Sequence, residues 1–443
     1  MMHNMKIKPR NLPLLFSLII CCIFNSLSVK ALYDEIVNAT GLISDLEEEV
    51  SRENNQARQN NDEYRRLLEA EEGIKSSEIK EAADKELEKL KLYAVSALLM
   101  DAKNNRVLYE ENGEKKLPNA STTKIMTCII ALENADPNDI VTVSSYAASM
   151  PDVQLNIRKG EQYYLKDLMY SLMLESHNDT AVAIAEHVGG SVEGFATIMN
   201  DKAKELGCLS TNFITPSGLD AQGHYTTAKD LAAIASYAIK NEDFIRITNT
   251  ASHTFSEIKS GRRFTVTNKN KFLYLMDGAI GVKTGFTNGA GYCFVGAIRK
   301  PDRELVSVVL GSGWPPHKNY RWSDTKELMN FGIKNFELKK IFEKKKFDPV
   351  FVQDGQTRYE QLLMKDNNEL TMLIGKHETV RVEYQLPEKL MAPIKANTVV
   401  GSAKYYINDI PYKEVPIYTA YDIKKIDFGF CLKEIFKLWC GQF

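Results

Sequence analysis

The sequence predicts an α+β fold, because a helix-rich stretch separates two groups of β segments that must share one sheet. Within 121–245, apolar residues recur at helical spacing, as at Leu165, Leu168, Met169, Leu172 and Met173. On either side of this stretch, short apolar runs bounded by turn residues have the pattern of strands. These strand-like runs are 95–99, 107–109, 265–267, 292–298 and 305–310. We therefore expect one α+β domain over 93–336.

The residue pattern changes after the basic run 339–346, and the new pattern predicts a second, all-β domain. Short strand-like runs with turns between them follow, and no cluster of titratable residues accompanies them. The runs are 350–352, 370–374, 380–384, 399–406 and 415–418. We expect this small β domain to span 337–420 and to carry no chemistry.

The N-terminal residues 1–31 have the features of a secretory signal peptide. Three basic residues precede an apolar run from Leu12 to Phe24, and Val29-Lys30-Ala31 resembles a cleavage site. The alternative is a retained membrane anchor, but the run is shorter than the roughly 20 apolar residues that a span needs. We expect an exported protein at the outer face of the cytoplasmic membrane.

Residues 32–92 are charged, poor in glycine and proline, and rich in helix formers. Their sparse apolar residues give a narrow stripe, and so polar a helix cannot bury much surface alone. We expect a solvated helical spacer, and the alternative is a helix that pairs with a coiled-coil partner.

The last segment, 421–443, combines bulky apolar residues with flanking lysines. Its apolar residues are Ile426, Phe428, Phe430, Leu432, Ile435, Phe436, Leu438 and Trp439. Because anionic lipid attracts Lys433 and Lys437, we expect an amphipathic helix that lies on the membrane surface. The alternative is a helix that docks on the β domain.

Composition excludes several classes of function. The formal net charge of the 443 residues is -2, so there is no basic excess to neutralise phosphates and no nucleic-acid partner is expected. The cysteines beyond the signal peptide are odd in number and scattered, which does not indicate a disulfide framework. Neither cysteines nor histidines have the spacing of metal ligands, so we expect no metal and no cofactor.

Three short motifs carry the candidate chemistry: Ser121-Thr122-Thr123-Lys124, Ser176-His177-Asn178 and Lys283-Thr284-Gly285. Each is weak alone, because S-x-x-K occurs four times in the chain. Ser121 differs from the other copies in that it opens an apolar run, 125–132, that predicts a buried helix. A serine at a helix N-terminus has free backbone N–H groups nearby that can hold an oxyanion.

Lys124 lies one helical turn from Ser121 on the same face. A lysine that is desolvated there and close to another cation would have a lowered pKa and could deprotonate the serine. Ser176 and Asn178 lie at a junction between two amphipathic helices, where a hydroxyl and an amide can relay a proton and bind a substrate amide. Asp179 is placed to cap the second of these helices.

Small residues precede Lys283, from Gly278 to Gly281, and indicate a strand that another backbone approaches closely. An extended substrate that lies alongside as an extra strand is one such partner. Lys283 and Thr284 could then bind a C-terminal carboxylate.

The motifs and their surroundings resemble the serine D-Ala-D-Ala carboxypeptidases, which lie within the larger penicillin-binding and serine β-lactamase group. The resemblance covers about 93–420. It includes 117–127, 176–181, 216–220 and 281–292 in the first domain, and Ala392-Pro393-Ile394 and Gly401 in the second.

This resemblance implies that Ser121 attacks the carbonyl between two terminal D-alanines, with Lys124 as base and Ser176 assisting proton transfer. The substrate-binding residues that it implies are Asn178, Lys283, Thr284, Gly285 and Phe286. The backbone N–H groups of Ser121 and Phe286 would form the oxyanion hole. The implied substrates are peptidoglycan stem peptides, and β-lactam antibiotics would act as inhibitors.

Two features depart from the family pattern. Position 286 is Phe where some relatives have His, and segment 32–92 precedes a catalytic domain that usually begins soon after the signal. Two other functions are alternatives, a serine β-lactamase and a non-catalytic penicillin-binding wall module. A class A β-lactamase would need a Glu four residues before an Asn, and no such pair lies between Asn178 and Lys283. A non-catalytic wall-binding module would not need the full set of reactive side chains.

Overall fold

The structure of the protein, a computed structural model, describes residues 89–151, 153–365 and 370–439. The expected signal peptide at 1–31 lies outside these residues, and so does the expected spacer as far as residue 88. The described chain combines helices and strands and continues into a small all-β domain, which confirms the predicted fold class.

The folded unit begins a few residues earlier than expected. Residues 89–94 form neither helix nor strand. Leu90 is nevertheless buried, in a hydrophobic cluster that includes Leu108 and Phe331. The last residues of the segment that we expected to be a solvated spacer therefore belong to the folded domain.

A five-stranded antiparallel sheet forms the centre of the larger domain. Its strands are β1 (Ser96–Asp101), β2 (Arg106–Glu111), β7 (Ala279–Thr287), β8 (Gly291–Lys300) and β9 (Arg303–Leu310). Two separate two-stranded sheets pair β3 (Ile140–Thr142) with β4 (Gln162–Tyr164) and β5 (Ser252–Ser256) with β6 (Arg263–Thr267). The order across the central sheet is β2-β1-β9-β8-β7, so β7 is an edge strand whose backbone is open on one side.

The helices of this domain lie mainly between β2 and β7 in the chain. They are α1 (Lys124–Asn134), α2 (Ser145–Ala148), α3 (Leu165–Leu174), α4 (Asn178–Gly189), α5 (Val192–Glu205), α6 (Ala228–Ala238), α7 (Glu242–Asn249) and α8 (Phe272–Leu275). The helix α9 (Tyr320–Asn335) follows β9. A turn of 3-10 helix, Ala120–Thr123, leads directly into α1.

The sheet separates two hydrophobic cores, because successive side chains of a strand point to opposite faces. Leu98 and Val308 belong to the core that also contains the buried side of α1. Leu99 and Val309 belong to the second core, which α9 covers. The helical layer on the first face carries the 3-10 turn Ala120–Thr123, called the nucleophile turn below because it contains Ser121. Strand β7 passes alongside this turn.

The smaller domain follows α9 and is built of strands. They are β10 (Phe336–Lys340), β11 (Val350–Gln353), β12 (Tyr359–Glu360), β13 (Leu362–Met364), β14 (Thr371–Gly375), β15 (Val380–Gln385), β16 (Lys389–Met391), β17 (Val399–Ile407) and β18 (Ile410–Thr419). Its core includes Phe347, Met372 and Tyr405. Arg106 of β2 joins the two domains, because its guanidinium contacts Glu378 and donates to the Leu373 carbonyl.

The C-terminal segment begins as extended chain and not as helix. Ile423 is buried and pairs with Ile394, and Lys425 pairs with Gly355. Within the described residues, the helix α10 covers Phe428–Trp439. The expected helix start at 421 is therefore wrong, because residues 421–426 pack against the β domain. In the described part of the chain, no helix is both long and apolar enough to cross a membrane.

Candidate active site

Ser121 and Lys124 meet at the start of α1. Lys124 is fully buried, and its Nζ lies 2.9 Å from Ser121 Oγ, 2.8 Å from Asn178 Oδ1 and 2.7 Å from the Ser217 carbonyl oxygen. A neutral amine has two N–H donors and one lone pair. An amide oxygen and a carbonyl oxygen can only accept, so they occupy both N–H groups. The lone pair of a neutral Lys124 then faces the Ser121 hydroxyl, which is the arrangement that a base requires.

The surroundings of Lys124 favour its neutral form. Burial is the largest cause that places its pKa well below the ordinary value of 10.5, and the positive charge of Lys283 lowers it further. Asp179 opposes the shift with a smaller effect. Lys124 is therefore neutral at lower pH than an ordinary lysine, which favours its action as a base.

Ser176 lies in a strained position just before α4. Its backbone φ of 72° is left-handed, a conformation that costs energy for a residue with a side chain. Its Oγ is buried, and no hydrogen-bond partner for it lies among the described residues. Backbone strain and a buried, unsatisfied hydroxyl at one residue are typical of functional sites.

Asn178 and Asp179 anchor the loop that faces them. The backbone N–H of Asn178 donates to the Val153 carbonyl at 2.6 Å. The Asp179 carboxylate accepts from the N–H groups of Leu155 and Ile157, at 3.0 and 3.2 Å. We expected Asp179 to cap α4, and this expectation is wrong, because α4 starts at Asn178 and the carboxylate orders the neighbouring loop.

Lys283, Thr284, Gly285 and Phe286 lie along the edge strand β7. Residues opposite each other in an antiparallel pair alternate between hydrogen-bonded and non-bonded positions. Tyr292, which stands opposite Phe286 on β8, uses its N–H and C=O to bond Gly313 and Ser312. The Phe286 N–H therefore points away from β8, toward the open edge where a substrate strand can pair.

Gly285 brings the edge strand against the nucleophile turn. A Cβ at this position would lie 3.0 Å from the backbone nitrogen of Ser121 and 3.1 Å from that of Thr122. Gly218 makes a similar approach from the other side, since a Cβ there would lie 1.9 Å from the Ala120 carbonyl oxygen. The two glycines let three chain segments converge on Ser121.

The Phe286 side chain points away from the reaction centre. It is 37% exposed and its ring packs on Tyr292, with 4.6 Å between ring centroids. We expected Phe286 to bind substrate, and its backbone N–H, not its side chain, is the group placed to do so.

Arg321, on α9, is a site residue that the sequence did not reveal. Burial and the charge of Arg321 together lower the pKa of Lys283 to about 7, with burial the larger cause. The Arg321 guanidinium lies over the rings of Tyr292 and Trp322, and its Nε is buried without a hydrogen-bond partner among the described residues. Two neighbouring cationic side chains with an unsatisfied donor can bind an anion. No local sequence signal marks it, because α9 comes near β7 only when it packs on the neighbouring strands β8 and β9 in the folded chain.

His224 is a second residue that sequence reasoning missed. Its Nδ1 accepts from the backbone N–H of Ile214, so its Nε2 carries the proton and donates to Thr123 Oγ1 at 2.9 Å. Burial lowers the pKa of His224 to about 4. The ring is therefore neutral and supports the nucleophile turn as a fixed donor.

Comparison with known proteins identifies relatives for both domains. A family model described as D-alanyl-D-alanine carboxypeptidase matches residues 80–313. A second model, described as the C-terminal domain of penicillin-binding protein 5, matches residues 336–425. The two matches correspond to the two folded domains.

Individual relatives match over most of the chain. The D-alanyl-D-alanine carboxypeptidase DacF of Bacillus subtilis is 30% identical over 355 residues, covering 78% of this chain and 90% of that protein. The D-alanyl-D-alanine carboxypeptidase DacC of Escherichia coli is 31% identical over 366 residues, covering 78% and 88%. The crystal structure of penicillin-binding protein 5 from Haemophilus influenzae superposes with a TM-score of 0.63 at 27% identity, covering 76% of this chain and 99% of that one.

Proposed function

The chain belongs to the D-alanyl-D-alanine carboxypeptidase family, and from this premise we propose how its residues release the terminal D-alanine of peptidoglycan stem pentapeptides. The protein is a serine peptidase of the penicillin-binding kind. The observation that carries the assignment of roles is the contact between Lys124 Nζ and Ser121 Oγ at 2.9 Å.

Acylation starts with transfer of the Ser121 hydroxyl proton to the neutral amine of Lys124. Ser121 Oγ bonds to the carbonyl carbon between the two D-alanines, and the resulting oxyanion accepts hydrogen bonds from the N–H groups of Ser121 and Phe286. A donor of this kind is worth about 3–4 kcal/mol of transition-state stabilisation. The outward direction of the Phe286 N–H supports its part in this role.

Ser176 passes the proton onward to the leaving group. As the C–N bond breaks, the amine of the departing D-alanine needs one proton, which Lys124 now holds. The Ser176 hydroxyl relays it. Asn178 accepts from Lys124 through Oδ1, one N–H of its Nδ2 donates to the Pro151 carbonyl at 3.1 Å, and the other N–H binds substrate. The buried and unpartnered Oγ of Ser176 supports this role, because a relay needs a hydroxyl that is free to rotate.

The terminal carboxylate binds at the cationic end of β7. Lys283 and the Thr284 hydroxyl receive it, and Arg321 adds the second positive charge. Gly285 lets β7 lie close against the backbone of Ser121, so that the bound strand and the nucleophile are held side by side. In the second half of the reaction, water adds to the ester carbonyl and gives one proton to Lys124. As the bond to Ser121 Oγ breaks, Lys124 returns this proton to Oγ, which regenerates the serine and releases the shortened peptide. A β-lactam forms the same ester and traps it.

Release of D-alanine from a diacyl-L-Lys-D-Ala-D-Ala peptide tests this function. We expect turnover by the wild-type protein and none by Ser121→Ala. The variant Ser256→Ala is a matched control, because Ser256 begins another S-x-x-K copy in the chain and lies exposed on β5. Full turnover by Ser121→Ala, or loss of turnover in Ser256→Ala, would contradict the assignment.

We further propose that the enzyme acts outside the cytoplasm and lies on the outer face of the cytoplasmic membrane. The signal peptide expected at 1–31 would export it. The helix α10 would then hold it on the lipid. Its residues Phe428, Leu432, Ile435, Phe436 and Trp439 recur at helical spacing on one side and are exposed. Exposed apolar residues in a stripe are typical of an interfacial helix.

Vesicle binding tests this attachment. We expect the mature chain to sediment with vesicles of anionic lipid, and a chain that ends at Asp427 to remain in solution. Replacement of Leu432 and Phe436 by Ser should also abolish binding, whereas Cys431→Ser, which lies off the apolar stripe, should not. Equal sedimentation of all four proteins would show that α10 is not the anchor.

For the part of the charged segment 32–92 that precedes residue 89 we propose a solvated helical spacer, with a coiled-coil partner as the alternative. Leu90 is buried in the catalytic domain, so the appropriate deletion is 32–88. This deletion should leave D-alanine release from a soluble peptide within about twofold, because the segment has too few apolar residues to contribute a core.

A further inference from the structure

A cavity of about 350 Å³ lies beside the nucleophile turn, between the chain that precedes it and the loop after Gly218. Leu117, Pro118 and Ala221 form its apolar wall. His224 forms part of the floor, and because both of its ring nitrogens are already hydrogen-bonded, it offers the cavity no polar group. The cavity can therefore accommodate an aliphatic chain.

Two oppositely charged side chains, Lys116 and Asp220, border this cavity and do not form an ion pair with each other. Lys116 is exposed, and its ammonium lies over the Tyr225 ring, 4.7 Å from the centroid. Among the described residues, no carboxylate forms an ion pair with it. Asp220 uses Oδ1 to accept from the Thr287 hydroxyl at 2.8 Å, and the described residues provide no partner for its Oδ2. One free cation and one free carboxylate oxygen therefore stand at the rim.

The cavity lies on the path of the substrate chain. Its rim includes Gly289, four residues beyond Gly285, which touches Ser121. At about 3.3 Å per residue this separation is at most about 13 Å. A stem peptide with its terminal carboxylate at Lys283 runs antiparallel to β7, so its earlier residues extend toward Gly289. The third residue of the stem, which carries the diamino acid side chain, would then lie toward the end of β7, where Thr287 donates to Asp220 of the cavity rim.

We propose that this cavity binds the side chain of the third stem residue and selects a diamino acid whose side chain ends in both an amino group and a carboxylate, as diaminopimelate does. This inference rests on the proposed function. The methylene groups of such a side chain lie against the apolar wall, its carboxylate pairs with Lys116, and its ammonium pairs with Asp220.

Lysine at the third position satisfies only half of this arrangement. Its ammonium can meet Asp220, but Lys116 then faces a like charge in place of a carboxylate. The missing charge-assisted contact corresponds to about a tenfold difference in kcat/KM. Gly289 has no side chain to close the mouth, since a Cβ there would lie 3.1 Å from Asp220 Oδ2.

The test compares D-alanine release from two acylated tripeptide substrates that differ only in the third stem residue, meso-diaminopimelate or lysine. We expect wild-type kcat/KM to be about tenfold higher for the diaminopimelate peptide, with the preference reduced at high salt. Lys116→Met should lower kcat/KM for that peptide about tenfold and leave the lysine peptide within twofold. Lys115→Met is the matched control, because it removes a neighbouring exposed charge that does not line the cavity.

Equal kcat/KM for the two peptides in the wild type, or an equal effect of Lys116→Met on both, would overturn the selection while the carboxypeptidase function stands. A diaminopimelate peptide whose side-chain carboxylate is amidated should be hydrolysed no faster than the lysine peptide, and faster hydrolysis would also overturn the selection. Release from neither peptide would instead contradict the proposed function.

Discussion

The side-chain nitrogen of Lys124 lies 2.9 Å from the hydroxyl oxygen of Ser121, while two acceptor oxygens, from Asn178 and Ser217, lie within 2.8 Å of the same nitrogen. This relationship fixes the direction of the amine lone pair. It also explains why a fully buried lysine can be tolerated, since each of its polar positions has a partner.

Replacement of Lys124 by Ala should reduce acylation by penicillin by about 10²–10⁴-fold, because the base is lost. Lys124→Arg should be equally inactive, since a guanidinium stays protonated and cannot accept the Ser121 proton. The measurement is the rate of labelling by a fluorescent penicillin. Lys159→Ala, at an exposed lysine, is the control. Near-wild-type labelling by either Lys124 variant would exclude Lys124 as the base.

The pH dependence of kcat/KM should be bell-shaped. On the acid side activity falls as Lys124, whose pKa is lowered by burial, becomes protonated. On the alkaline side it falls as Lys283, with a pKa of about 7, loses the proton that holds the substrate carboxylate. Arg321→Gln removes a cation that lowers this pKa, so the alkaline limb should move to higher pH even as kcat/KM drops. An unmoved limb would show that Lys283 does not control it.

Ser176→Ala should separate stability from activity. The hydroxyl is buried and unpartnered, so its removal should leave the free energy of unfolding unchanged or raise it by up to about 1 kcal/mol. D-alanine release should nevertheless fall, because the proton relay is lost. Thermal unfolding and turnover of the same preparation check both halves. A clear fall in the unfolding midpoint would assign Ser176 a structural role instead.

Gly285→Ala should lower the rate of acylation without unfolding the protein. The added Cβ would lie 3.0 Å from the Ser121 nitrogen, so β7 or the nucleophile turn must shift by a few tenths of an ångström. Misplacement of this size disturbs the oxyanion donors far more than the hydrophobic core. Gly429→Ala, in α10, serves as the control for a soluble substrate. Unchanged acylation by Gly285→Ala would mean that the close approach is not needed.

Local patterns in the sequence predicted much of the fold and the candidate site. The alternation and helical spacing of apolar residues gave the α+β class, and each of the three motifs is contiguous in the chain, so its residue types could be found by inspection. Lys124 and Ser121 are one turn apart, which makes even their contact a local property.

The remaining features depend on contacts between distant segments. Arg321 approaches Lys283 only because α9 packs on the sheet beside β7, and the Ser217 carbonyl reaches Lys124 through a loop. Asp179 was expected to cap a helix, but the fold places backbone N–H groups from another loop within its reach. The predicted helix start at 421 is wrong for the same reason, because Ile423 forms a β-bridge with Ile394 that competes with helix formation.

Location of the covalently bound penicillin by peptide mass spectrometry tests the central claim most directly. Protein incubated with benzylpenicillin and digested should carry the penicilloyl group on the peptide that contains Ser121, and Ser121→Ala should carry none. A penicilloyl group on another serine, such as Ser176, or persistent labelling of Ser121→Ala, would contradict the assignment of Ser121 as the nucleophile.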